Sequence, residues 1–235
     1  MRIQRALARA GVTSRRAADA LVAAGRVTIN GRRAEIGESV DVETDVIAVD
    51  GSRVTAPMST TWLVLNKPAG VVTTRRDEQG RRTVFDIVPD RPGLIYVGRL
   101  DYLTEGVLLL TTDGEGANAL THPSREVERT YLATVRGNAP AAAKSALRGV
   151  ELDDGPARVE SAVARSLGDR VWTLELTLRE GRNREVRRLC AALDLEVERL
   201  VRTRFGPIRL GGLASGQWRE LTREERGAIE QLTSS

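Results

Sequence analysis

Short apolar runs separated by polar turns organise this chain of 235 residues. Ile3, Leu7 and Ala10 recur at helical spacing and are ended by Gly11. Thr13 or Ser14 then offers an N-cap to a second helix, whose apolar side includes Ala17, Ala18, Leu21 and Val22 and whose natural stop is Gly25. Val27-Thr28-Ile29 alternates as a strand and runs into Asn30-Gly31, a strong hairpin signal. Ser39 to Val42 and Val46 to Val49 read as further strands, the second turning at Asp50-Gly51. The pattern therefore predicts a small α/β unit over residues 1–55.

Thr55 to Thr61 has no periodicity and contains Pro57, so the linker is placed there. From Trp62 onward a larger unit, 62–235, is expected. Its strands are Trp62 to Leu65, Val71 to Thr74, Leu94 to Val97, Val107 to Leu110, Tyr131 to Val135 and the alternation Trp172, Leu174, Leu176, Leu178. Helices are expected near Ala117 to Leu120, over 138–149, and after Gly181, where Val186, Leu189, Cys190 and Leu193 share a face opposite Arg184, Arg187 and Arg188. Strands dominate without regular βαβ alternation, which predicts an α+β fold on a mainly antiparallel mixed sheet.

Charge adds a direction to this picture. The net charge is only +4, yet eight arginines (Arg2, Arg5, Arg9, Arg15, Arg16, Arg26, Arg32, Arg33) stand before Ala34 against Asp19 alone. The sign reverses over 34–50, with Glu35, Glu38, Asp41, Glu43, Asp45 and Asp50, and a second basic cluster lies at Arg179 to Arg188. Clustered arginines on a nearly balanced chain point to directed contact with phosphates, with a solvated helix face as the alternative. Aromatic content of 3% argues against broad single-strand binding on stacked rings. The chain has no apolar run of about 18 residues, which argues against a membrane span. Its N-terminus lacks a signal-peptide core, and its single cysteine fits a cytoplasmic setting. Cys190 reads as a small buried hydrophobe. His122 is the one histidine, so a His-rich metal site is excluded; the residue reads as structural or as a nucleic-acid contact.

One stretch stands apart from the pattern. Gly98-Arg99-Leu100-Asp101-Tyr102-Leu103-Thr104-Glu105-Gly106 puts a carboxylate in a Gly-bounded loop between two apolar strands. Scaffold-held loops are where catalytic groups concentrate, although an Asp capping its own turn is the commoner explanation.

Several motifs occur in order: Leu65-Asn66-Lys67-Pro68-Ala69-Gly70, Thr83-Val84-Phe85-Asp86, Gly98-Arg99-Leu100-Asp101, His122-Pro123-Ser124, Tyr131, and Glu180-Gly181-Arg182-Asn183-Arg184-Glu185-Val186-Arg187-Arg188. Together they resemble the RsuA/RluB family of ribosomal RNA pseudouridine synthases over nearly the whole chain. The first 50 or so residues, through Gly11 to Ala17 and Gly25 to Gly31, resemble the ribosomal-protein-S-four-like RNA-binding domain that this family carries. The resemblance implies isomerisation of uridine to pseudouridine without cofactor or metal. It assigns Asp101 to attack on the ribose or removal of a proton from it. Arg187 becomes the partner that keeps the carboxylate charged, since Arg can dock a carboxylate through two parallel hydrogen bonds. Tyr131 is placed beneath the target base, Arg99 at the flipped nucleotide or its vacated space, and Leu200 at the apolar pocket wall.

Arg15, Arg16, Arg26, Arg75, Arg76 and Arg184 are then expected to contact RNA. The small-subunit branch of the family carries Tyr-His-Gln where this chain has Asn183-Arg184-Glu185, so 23S ribosomal RNA, free or in an assembly intermediate, is the expected partner of a monomer. The rival readings are a synthase acting on 16S ribosomal RNA and a catalytically inactive RNA-binding or assembly factor.

Overall fold

The computed structural model describes residues 1–55 and 60–234 and divides them into two units, one drawn chiefly from the chain before Leu63 and one chiefly from the chain after it. The expected linker falls mostly on 56–59, which lie outside the described residues.

In the first unit, α1 (Ile3–Arg9) buries Ile3, Ala6 and Leu7. Ser14 caps α2 (Arg15–Ala23), its hydroxyl accepting from the Ala17 N–H at 3.2 Å. Ala18 and Val22 face the core, whereas Ala17, expected on that side, is exposed in the capped first turn. Strand β1 (Val27–Ile29) turns through Asn30-Gly31, both at positive φ, into β2 (Arg32–Arg33). Its other edge pairs with β3 (Ile47–Val49), which continues into β4 (Ser52–Arg53). The strand expected at 39–42 does not form. Ser39 makes a single bridge to Arg2, and Asp41 opens a turn, its carboxylate accepting from the Glu43 N–H. The alternation there concealed a turn signal.

The second unit is built on a nine-stranded sheet. Its elements are β5 (Trp62–Lys67), β6 (Ile95–Val97), β7 (Thr104–Thr111), α3 (Gly114–Thr121), β8 (Arg129–Arg136), α4 (Ala139–Arg148), β9 (Val150–Leu152), β10 (Gly155–Ala157), β11 (Ser161–Gly168), β12 (Val171–Leu178), α5 (Glu185–Ala192), β13 (Glu196–Phe205), β14 (Ile208–Arg209), β15 (Trp218–Glu220) and α6 (Arg223–Ser234). The strand order is β11-β12-β8-β13-β7-β5-β15, with β14 on β13, β6 on β7, and β9–β10 a separate hairpin. Strand β13 runs antiparallel to β8 and parallel to β7. The expected α+β fold on a mainly antiparallel sheet is therefore the one adopted. Among the described residues, no helix is long and apolar enough to cross a membrane.

Alanines 139, 142, 143 and 146 of α4 and Val186, Leu189 and Cys190 of α5 share one core with Leu174, Leu176 and Leu178 of β12. Burial pushes the Cys190 thiol up to about 12, so it behaves as the apolar filler the sequence suggested. The strand expected at 71–74 reduces to one bridge, Val72 to Thr83, because the Thr73 hydroxyl is taken by Leu100, donating to its carbonyl at 2.9 Å.

Gly106 permits the parallel pairing of β7 with β13. Its φ is +102°, and a Cβ there would lie 2.2 Å from the Arg202 carbonyl oxygen. Gly106→Ala is expected to lower unfolding stability by about 2–3 kcal/mol, through backbone strain and displaced strands. Urea denaturation checks this, and a midpoint equal to that of the native chain would refute it.

Candidate active site in a basic pocket

The loop after β6 carries Asp101 into a turn closed by the Thr104 N–H, which donates to the Asp101 carbonyl at 3.0 Å. The next carbonyls are held from outside the turn. Tyr102 O accepts from the Gly70 N–H at 2.9 Å, Leu103 O from Arg187 Nη2 at 3.2 Å, and Thr104 O from Lys67 Nζ at 2.8 Å. With Leu100 O held by Thr73, each carbonyl from Leu100 to Thr104 has a donor. The position of Asp101 is thus set by hydrogen bonds to the backbone carbonyls of its turn, and among the described residues none is made by its carboxylate.

Lys67, at the end of β5, is the least expected part of this arrangement. It is fully buried, and besides Thr104 O its ammonium donates to Pro68 O at 2.9 Å and Tyr102 O at 3.4 Å. Desolvation brings it down to about 8, against the opposing pull of Glu105 and Asp101.

Asp101 opens on a cavity of about 500 Å³. Strand β8 contributes Tyr131 and Arg129 to its wall, β13 contributes Leu200, Arg202 and Phe205, and the segment entering α5 contributes 181–187. Tyr131 is half-buried and sits opposite Arg202 in the β8–β13 register. Six arginines (Arg99, Arg129, Arg182, Arg184, Arg187, Arg202) face two carboxylates (Asp101, Glu185) in the lining, a balance suited to an anionic ligand. Four buried side-chain atoms of the lining have no hydrogen-bond partner among the described residues: Thr104 Oγ1, Glu185 Oε1, Arg187 Nε and Arg202 Nη2. Unmet groups gathered around one cavity suit a polar ligand that would satisfy them.

The pocket brings together Asp101, Tyr131, Arg187, Arg99, Leu200 and Arg184 from the residues singled out in the sequence. The detail at Arg187 differs from expectation. Among the described residues no ion pair within 4.0 Å joins it to Asp101; it spends one nitrogen on the Leu103 carbonyl instead. Burial chiefly, and then Arg184, lower the Arg187 pKa, while the nearby Asp101 charge opposes both. Arg187 therefore holds the turn, with its charge near that of Asp101 but not paired to it.

Arg75 and Arg76 are exposed outside the lining, Arg75 with its guanidinium 4.2 Å from the Phe85 ring centre. Arg15 and Arg16 are exposed on the first turn of α2 in the first unit. Arg26, also in that unit, is held by Asp50 through a bidentate pair, with Nε at 2.9 Å from Oδ1. The sequence reading missed Arg129 and Arg202. Arg202 is 3% exposed and donates to Val107 O at 2.8 Å, and both guanidinium groups lie over the Phe205 ring, at 5.2 Å for Arg129 and 4.8 Å for Arg202.

The profile of the family described as RNA pseudouridylate synthase matches residues 61–192, and that of the S4 domain matches 1–47. The chain belongs to the RNA pseudouridylate synthase family. It is 46% identical over 239 residues to an uncharacterized RNA pseudouridine synthase of Mycobacterium leprae, covering 99% of this chain and 92% of that one. Identity to the ribosomal large subunit pseudouridine synthase B of Shigella flexneri is 44% over 242 residues, covering 98% and 83%. A crystal structure of a pseudouridylate synthase superimposes with a TM-score of 0.66 at 28% identity, covering 99% of both chains. The synthase family and the appended S4 domain are thus the ones its ordered motifs resemble.

Proposed function

We propose that this synthase isomerises a uridine of 23S ribosomal RNA to pseudouridine, with Asp101 as the catalytic carboxylate. The observation that carries the reading is the pinned turn that presents Asp101 to a basic pocket also lined by Tyr131 and Arg187. Similarity to large subunit synthases over 98% of this chain supports the choice of RNA.

Uridine and pseudouridine are isomers, so the reaction consumes no second substrate. A uridine in a folded RNA must first leave its stack, at an expense of a few kcal/mol offset by contacts in the pocket. Asp101 then attacks the ribose or takes a proton from it, and the N-glycosidic bond breaks. The base turns within the pocket and C5 bonds to the ribose as Asp101 is displaced from the ribose or returns the proton it took. C5 then loses its proton and N1 gains one. Tyr131 lies under the base and assists that last step, Leu200 supplies the apolar wall, and Arg99 holds the nucleotide. Arg187 keeps a positive charge near Asp101 throughout. Residues 1–55 grip RNA through Arg15 and Arg16, with Arg26, Arg75, Arg76 and Arg184 as further phosphate contacts, Arg26 by exchanging Asp50 for phosphate. Residues 62–235 perform the chemistry, and the protein acts as a cytoplasmic monomer on free 23S RNA or an assembly intermediate.

Carbodiimide labelling and primer extension on RNA treated with the purified protein test this reading. One new stop in 23S RNA is expected. A stop in 16S RNA instead would overturn the choice of RNA while keeping the chemistry. Absence of any stop on either RNA, with assembly intermediates included, would leave an RNA-binding protein without the reaction.

A further inference from the structure

The turn beside Asp101 carries two large side chains that turn geometry does not call for. Its central positions are ordinarily taken by Gly, Pro, Asn, Asp or Ser. Here they are Tyr102 and Leu103, 43% and 58% exposed. A single exposed leucine needs no explanation, but Leu103 adjoins Tyr102, which lines the pocket, and adjacent large apolar side chains in such a place mark a contact surface. The backbone beneath them is fixed: Gly70 and Lys67 hold the Tyr102 carbonyl, and Arg187 holds that of Leu103. The surroundings are cationic. Arg99 and Arg184 are exposed on the pocket wall, and the Arg81 guanidinium, held by Asp77, lies 5.8 Å from the Tyr102 ring centre.

An apolar projection on a fixed backbone among arginines, on the two residues that follow a carboxylate that must meet an unstacked base, has the chemistry of a wedge that parts a base step while phosphates are held around it. We infer that Leu103 enters the RNA stack where the target uridine leaves it, and that Tyr102, which borders the pocket, lies against the neighbouring base. The inference rests on the pseudouridine synthase reading. It gives the vacated space to Leu103 and leaves Arg99 to the flipped nucleotide.

Two versions of the RNA segment around the mapped uridine test it, one with the uridine paired inside a helix and one with it bulged. With full-length protein, Leu103→Ala and Tyr102→Ala are expected to slow single-turnover conversion of the paired RNA by about tenfold or more. Conversion of the bulged RNA stays within about twofold of native, because its unstacking is already done. Leu103→Met, which keeps an apolar wedge, restores the rate on paired RNA. Equal slowing on both RNAs, or none on the paired one, overturns the wedge. A second readout does not need the chemistry: 2-aminopurine placed 3′ to the uridine should brighten on binding Asp101→Asn and stay dim with the Asp101→Asn/Leu103→Ala double variant. Brightening that depends on Leu103, without pseudouridine from the native protein, would keep the wedge and remove the isomerase reading. Pseudouridine formed with no dependence on Leu103 would do the reverse.

Discussion

Asp101→Asn is expected to bind ribosomal RNA as tightly as the native synthase and to form no measurable pseudouridine, a loss of about 10⁴-fold or more in single-turnover rate. The carboxamide has nearly the shape of the carboxylate but neither attacks a ribose carbon nor accepts a proton from it. The fold should not register the change. The turn is held through the carbonyls of residues 100–104 by Thr73, Lys67, Gly70, Arg187 and the turn's own Thr104 N–H, and among the described residues no hydrogen bond to the Asp101 carboxylate contributes. The variant should therefore melt with the native protein, and filter binding and primer extension on one RNA preparation separate the two functions. Product at even a hundredth of the native rate would remove Asp101 from the reaction. Loss of binding together with product would make its role structural.

How far the sequence could be read depended on whether side-chain pattern and local backbone agreed. The N-terminal unit was legible because Ser14, Gly25 and Asn30-Gly31 each sit where cap, stop and hairpin require them. The Asp101 loop and the basic entry to α5 were legible because Gly and Arg interrupt apolar runs there. Strand β13 was not foreseen. Glu196 to Phe205 alternates charge with aliphatics, and Arg202 is buried in it, which inverts the pattern that marks a strand. Strand β11 was missed for the opposite reason: it lies at the sheet edge and is exposed along most of its length. Residues 71–74 had strand composition, but tertiary demand overrode it, since Thr73 serves the Asp101 loop instead of a ladder. The reach of Arg187 past Asp101 to the Leu103 carbonyl depends on how the turn presents its backbone, which no motif encodes.

Replacing Lys67 by Met is expected to cost about 2 kcal/mol of stability at neutral pH and about 100-fold in kcat. Methionine fills similar space but leaves Pro68 O and Thr104 O without a side-chain donor and removes one of two from Tyr102 O. A turn loosened by an ångström misplaces the carboxylate, and misplacement on that scale is enough for such a loss of rate. The pH dependence separates this role from simple packing. In the folded protein Lys67 titrates near 8, below its ordinary 10.5, so between those values the unfolded chain holds the extra proton. Stability contributed at this site therefore rises with pH across that window, by at most about 3 kcal/mol, and the rise is absent in Lys67→Met. Activity should move the other way. The neutral amine has two N–H donors for three carbonyls, so kcat should fall several-fold above pH 8 while the native fold becomes harder to unfold. Lys67→Met, already slow, should show no such limb. A native kcat that stays level through pH 9, or a Lys67→Met enzyme that keeps the falling limb, would show that the buried ammonium does not hold the Asp101 turn for the reaction.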